Sequence, residues 1–266
     1  LSDVGDKNLN LNTDISQNGL ATVTLNRPKV HNAFDEVLIG SIQETFENLC
    51  HNANVRVIVL MANGQSFCAG ADLNWMRRMS TYTHDENVAD GRALAKMLNT
   101  IATCPKPVIG QIQGPAYGGG VGIVAVCDIA VAAESAMFSL SEVKLGLTPA
   151  TISPYVIGAM GERQAQRYFI TAERFNAATA LKMGLVHKVV PDNTLEESVF
   201  EFVIKLLKNS PSAIAECKKL ISAVANRPID DRILEDTAQR IAEIRASLEG
   251  KEGIAAFLEK RRPKWS

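Results

Sequence analysis

The sequence predicts an α/β fold followed by a helical C-terminal region. Three observations carry that expectation. First, short apolar, β-branched runs at residues 55–61, 108–112 and 129–133 alternate with helix-period stretches over the first two-thirds of the chain; this is the pattern of a sheet buried beneath helices. Second, three consecutive glycines, Gly118, Gly119 and Gly120, fall between two apolar runs. Glycine weakens any element it interrupts, so such a run points to a positive φ or a close backbone approach. Third, from Ser153 onward the apolar residues recur mostly at helical spacing, as in Ile214, Cys217, Leu220, Ile221 and Val224.

Taken in order, residues 21–25 alternate small and β-branched side chains and read as a strand, ended by Arg27-Pro28. Asp35 caps a helix that carries Val37, Leu38, Ile42, Phe46 and Leu49 on one side. Residues 55–61 form a buried strand, and 63–72 a loop rich in Gly, Asn and Ala. Residues 85–101 are helical by pattern, Pro105-Lys106-Pro107 breaks the helix, and 108–112 is the next buried strand. A short apolar helix follows the glycines, then strands at 129–133 and 136–140. The last strand signal is 187–190, and Pro191-Asp192-Asn193 separates a core at 1–190 from a helical region at 191–266. That region is expected to cap the core or a partner subunit.

Composition narrows the function classes. The chain has 266 residues, 46% apolar and 21% charged, which is an ordinary globular balance. A net charge of −1 argues neither for nucleic acid nor for an anionic membrane. Cys50, Cys68, Cys104, Cys127 and Cys217 are scattered, with no C-x-x-C, and fit free thiols in a reducing compartment. His31, His51, His84 and His187 show no ligand spacing, so no metal site is expected. No apolar run reaches the ~20 residues that span a bilayer. Residues 1–12 are polar and lack a signal core. The cytoplasm is the expected location.

Two glycine-containing loops, 63–73 and 113–122, each follow a buried strand. In a parallel sheet, loops at the carboxyl ends of neighbouring strands converge on one crevice. Small residues there can offer two backbone N–H groups to one oxygen, the arrangement of an oxyanion hole. A glycine turn that opens a helix adds the positive end of the helix dipole.

The residues also carry a family resemblance. The segments Leu25-Asn26-Arg27-Pro28-Lys29 with Asn32-Ala33, Phe67-Cys68-Ala69-Gly70-Ala71-Asp72-Leu73, Lys106-Pro107-Val108-Ile109, the triple glycine, Cys127-Asp128-Ile129-Ala130, Phe138-Ser139-Leu140-Ser141-Glu142-Val143-Lys144-Leu145-Gly146, Gly184-Leu185-Val186 and Phe257-Leu258-Glu259-Lys260-Arg261 resemble the crotonase (enoyl-CoA hydratase/isomerase) superfamily in its own order. The resemblance implies a spiral of ββα units with a C-terminal helical trimerisation region, assembled as trimers or dimers of trimers. It implies an acyl-CoA thioester as substrate, with coenzyme A part of the substrate and no permanently bound cofactor. By position, Ala71 and Gly119 supply the two N–H donors. Ala69, Gly70 and Leu73, with Gly118 and Gly122, line the substrate, and Phe257 and Lys260 contact coenzyme A, that of a neighbouring subunit included.

Many hydratases of that family use two glutamates. Glu142 matches one; Gly122 stands where the other would be. The missing side chain is expected to leave volume for a branched or carboxylated acyl group. The pattern from Ser139 to Tyr155 is similar to bacterial methylglutaconyl-CoA hydratases. The readings that stay open are a hydratase using Glu142 alone, a Δ3,Δ2-enoyl-CoA isomerase, and a catalytically weak acyl-CoA-binding homologue. Ser141, Thr148, Thr151, Ser153 and Tyr117 are the candidates for holding water, the alternative being its activation by Glu142 itself.

Structural roles are expected elsewhere. Asp72 reads as a helix N-cap, Asp128 as a partner in a helix or subunit contact, and Cys68 and Cys127 as small core residues. His84 and His187 read as surface or loop residues. The match of residues 120–125 to G-x-G-x-x-A does not directly follow a strand, which argues against a dinucleotide site.

Overall fold

The structure, a computed structural model, describes residues 10–265. The polar stretch at 1–12 therefore lies outside the described residues except for its last three. The strands in chain order are β1 (Leu11–Ile15), β2 (Leu20–Leu25), β3 (Val57–Ala62), β4 (Val108–Ile112), β5 (Ala116–Tyr117), β6 (Ile129–Ala133), β7 (Met137–Ser139), β8 (Phe175–Asn176) and β9 (Lys188–Val190). One sheet runs β1-β2-β3-β4-β6-β9; β1 is antiparallel to β2 and every other pairing is parallel. A second, small sheet runs β5-β7-β8. This is the α/β spiral of ββα units with C-terminal helices.

Alternation places the β3 side chains on two faces. Ile58 and Leu60 enter the larger core with Leu38, Ile42 and Phe46 of α1 (Glu36–His51). Val57 and Val59 point the other way and meet Ile109, Val131 and the apolar face Leu195, Val199 and Val203. Both faces are covered, so β3 reads as a continuous apolar run rather than an alternating one. Each fully buried side chain of this size contributes roughly 2 kcal/mol. In β1 only Leu11 is buried, so no period-2 signal marked this strand in the sequence.

Asp35 caps α1 as expected, its carboxylate accepting from Leu38 N at 2.8 Å. The next helices are α2 (Leu73–Met79), α3 (His84–Thr103) and α4 (Gly119–Val126). Thr83 and Glu86 form a capping box that starts α3 one residue earlier than its apolar pattern did. Next come α5 (Ser153–Met160), α6 (Glu162–Thr171) and α7 (Ala177–Met183). After β9 the described chain is helical: α8 (Leu195–Leu207), which covers the sheet, then α9 (Pro211–Val224), α10 (Asp231–Ala246) and α11 (Leu248–Leu258). Neither α9 nor α10 has a buried residue, and Ile221, Leu234, Ile241, Leu248 and Phe257 are exposed. Asp128 ties this region to the core by accepting from Val108 N (2.7 Å) and from Lys218 of α9 (2.6 Å), the helix contact expected of it.

Candidate active site

Strands β3 and β4 are parallel neighbours, so the loops after them leave the same edge of the sheet. The loops then stitch together. Phe67 and Cys68 N–H both donate to Pro115 O (3.0 and 3.1 Å), and Tyr117 N–H donates to Cys68 O (2.8 Å). Gly120 is packed so tightly that a Cβ there would lie 3.0 Å from Cys68 Cβ and closer still to the Cys68 carbonyl. Close backbone approach is thus one reason for the glycine run.

Phe34 joins both halves of the site. Its N–H donates to Gly70 O and its carbonyl accepts from Asp72 N, each at 2.7 Å, pairing it in a parallel bridge with Ala71. Neighbouring peptide groups in such a bridge alternate in direction, so the Ala71 N–H faces away from Phe34. The Phe34 ring lies against Gly119, where a Cβ would stand 2.8 Å from Cε2. Gly119 opens α4, and its N–H is one of the donors that a helix start leaves without an intrahelical acceptor. Among the described residues, neither the Ala71 nor the Gly119 N–H donates to a protein acceptor.

A polar clamp that the sequence reading did not assign holds the first loop. Arg27 pairs with Asp35 (2.8 Å) and Asp72 (3.0 Å) and donates to Ala33 O. Asp72 also caps α2 by accepting from Asn74 and Trp75 N–H. Burial pushes the Asp72 carboxyl up, but those two amides and the Arg27 guanidinium outweigh it and hold the group below its usual range. His31 and Asn32 both take positive φ, near 54°. That turn buries the Asn32 side chain, which donates to Asn63 O and Ser66 O (2.8 Å each) and accepts from Arg27 N (2.8 Å). His31 O accepts from Ala69 N at 3.0 Å. The signal available beforehand was the motif Arg27-Pro28 with Asn32; its tertiary partners were not visible in it.

The acid comes from the second layer. Gly118 N–H donates to Ser139 O at the end of β7 (2.9 Å), and a 3₁₀ turn, Glu142–Leu145, follows. Gly118 has φ of 50°, and a Cβ there would stand 3.2 Å from Glu142 Oε1. Glu142 Oε2 is buried with no hydrogen-bond partner. Burial is the main cause that pushes this carboxyl above its ordinary value, opposed by a hydrogen bond from its own backbone. A carboxyl so placed, with its neutral form favoured, can accept a proton and return it.

The structure therefore brings Ala69, Gly70, Ala71, Gly118, Gly119 and Glu142 together. Leu73, 70% exposed, flanks the mouth of the first loop. Phe257 near the end of α11 and Lys260 just beyond it are exposed, and α11 packs on α9 and α10. Gly122 departs from the expectation of open volume. Its backbone is buried, and a Cβ there would lie 2.9 Å from Ile152 Cβ, closer to Ile152 Cγ2, and 3.6 Å from Leu98 Cδ2. Ile152 already fills the space. Of the water-holding candidates, Ser153 spends its hydroxyl on Ala150 O (2.8 Å), and Arg174 sits over the Tyr117 ring. Cys68 and Cys127 are buried; burial pushes the Cys68 thiol up to about 12 and raises Cys127 as well, which suits core packing rather than nucleophilic attack.

Comparison with known proteins gives this geometry a family. The family model described as enoyl-CoA hydratase/isomerase matches residues 15–266. The enoyl-CoA hydratase ACTT6 of Alternaria alternata is 34% identical over 91% of this chain and 80% of its own length. A crystal structure of an enoyl-CoA hydratase from Shewanella pealeana superposes with a TM-score of 0.95 at 45% identity, covering 98% of this chain and 97% of that one. One from Mycobacterium smegmatis gives 0.91 at 32%, covering 96% and 98%. The chain belongs to the enoyl-CoA hydratase/isomerase family.

Proposed function

We propose that this chain is an enoyl-CoA hydratase that uses one carboxylate. The observation that carries the reading is the buried, unpartnered Glu142 Oε2 beside two backbone N–H groups without protein acceptors. Coenzyme A lies along Ala69, Gly70 and Leu73, with Phe257 and Lys260 contributing from a C-terminal arm. The thioester oxygen sits between the Ala71 and Gly119 amides. Glu142 takes a proton from water as the water oxygen bonds to Cβ of the enoyl group. The π electrons move onto the thioester oxygen, forming an enolate held by both donors and by the α4 dipole. Glu142 then returns its proton to Cα and the carbonyl re-forms. One such donor is worth about 3 kcal/mol of barrier. The raised pKa of the Glu142 carboxyl suits both halves of the cycle.

The similarity of the segment from Ser139 to Tyr155 makes 3-methylglutaconyl-CoA the first substrate to test. The lack of a second acid, with Gly122 at its expected position and the apolar Ile152 against it, favours one alternative, a Δ3,Δ2-enoyl-CoA isomerase, in which Glu142 takes a proton from C2 and returns it to C4. The uncovered apolar residues of α9 to α11 support a homo-oligomer, and the family resemblance makes a trimer or a dimer of trimers the form to test. A panel of 2-enoyl- and 3-enoyl-CoA esters separates the readings: hydration removes the ultraviolet absorbance of the conjugated thioester, and isomerisation creates it. Tight binding of every ester with turnover of none would overturn both and leave a binding protein.

A further inference from the structure

Gly118 and Gly122 stack one turn apart, since Gly122 N–H donates to Gly118 O at 3.3 Å. Each takes a different side chain against its bare Cα. Over Gly118 stands the Glu142 carboxylate, and over Gly122 stands Ile152, with Leu98 behind it. Acid and isoleucine therefore stand over the N-cap and over the first turn of α4, one hydrogen-bonded turn apart. Ile152 is 2% exposed and is held by its backbone: its carbonyl accepts from Tyr155 N (3.2 Å) and Val156 N (3.1 Å) at the start of α5. Leu98 and Val156, its neighbours, are fully buried. The side chain cannot swing aside without opening the α4–α5 contact.

We propose that Ile152 is the specificity-determining wall of the acyl pocket, closing it one turn beyond Glu142 and so limiting the length of acyl chain that can pass the carboxylate. The inference rests on the acyl-CoA reading of the site. A chain whose Cα and Cβ lie at Glu142 and whose next carbons run on past the start of α4 meets Ile152 over Gly122. Gly122 and Ile152 are then a matched pair. A side chain at 122 and an isoleucine at 152 exclude each other, and the apolar member is the one retained. A pocket ended by a methyl group discriminates by about tenfold or more per added methylene.

The test uses saturated thioesters, which bind without reacting. Dissociation constants of butanoyl-, hexanoyl- and octanoyl-CoA are measured by titration calorimetry for the wild type, Ile152→Ala and Ile152→Val. Truncation should raise the octanoyl-to-butanoyl affinity ratio about tenfold or more in the alanine variant. The valine variant should raise it about threefold, and it carries the test alone if alanine does not fold. Ile152→Met, which is longer, should lower the ratio. A general loss of packing would weaken all esters alike and leave the ratio unmoved. An unchanged ratio in a folded variant that still binds butanoyl-CoA overturns the inference alone. Failure of the wild type to bind any thioester overturns it together with the reading on which it rests.

Discussion

Glu142 Oε1 stands 3.2 Å from the point where residue 118 would carry a Cβ. The glycine therefore does two things at once. It supplies a φ of 50°, which L side chains rarely adopt, and it keeps the carboxylate where it is. Gly118→Ala should cost about 1–3 kcal/mol of stability through backbone strain. It should also lower kcat by roughly tenfold or more by displacing the acid. Urea unfolding and steady-state kinetics on one preparation check the two effects.

Gly119 differs, because its obstacle is the Phe34 ring rather than the acid. Gly119→Ala should push the ring and tilt the first N–H of α4. Loss of one aligned donor lowers kcat by about 100-fold, while binding of a saturated acyl-CoA falls far less. Turnover and calorimetric affinity, measured side by side, distinguish this from simple blockage of the site.

Gly122→Ala should be destabilising in proportion to overpacking, by about 1–3 kcal/mol, because Ile152 occupies the space. Ile152→Ala in the same chain removes Cγ2, the nearest obstructing atom, and should recover part of the loss. Chemical denaturation of the two single variants and the double variant supplies the cycle.

The Arg27–Asp72 pair gives a pH dependence of stability. The Asp72 carboxyl is held below its usual value in the folded chain, so it contributes stability above the unfolded carboxylate range near 3.9 and loses it as pH falls through the lower folded value. Asp72→Asn keeps an amide oxygen for the cap and removes the charge that faces Arg27. It should cost about 2 kcal/mol at pH 7 and progressively less below pH ~4. Unfolding free energies measured from pH 7 down to pH ~2 should converge for the two proteins.

What the sequence revealed follows from how local each signal is. Strands such as β3 and β4 are short apolar runs bounded by breakers, and the Asp35 cap sits three residues before its partner; both are read along the chain. The glycine run named the site because close approach leaves a local mark. The Arg27 clamp left none, since Asp72 lies 45 residues away and an arginine looks the same whether paired or solvated. The filling of Gly122 by Ile152 was hidden for the same reason: a glycine records a missing side chain, not which neighbour occupies its volume. β1 escaped because it buries one residue.

Catalysis by Glu142 is the central claim. The most direct measurement is Glu142→Gln, assayed for turnover of a 2-enoyl-CoA and for binding of the matching saturated thioester. Glutamine keeps the shape and removes the proton acceptor. Because burial makes the ionised carboxyl costly in the folded chain, the variant should also melt higher than the wild type at pH 7. In the wild type, the acid limb of kcat should lie above the ordinary glutamate range near 4.3. The account predicts turnover lowered by at least ~1000-fold with thioester affinity within about threefold of wild type. Retention of most of the activity by the folded glutamine variant would contradict it.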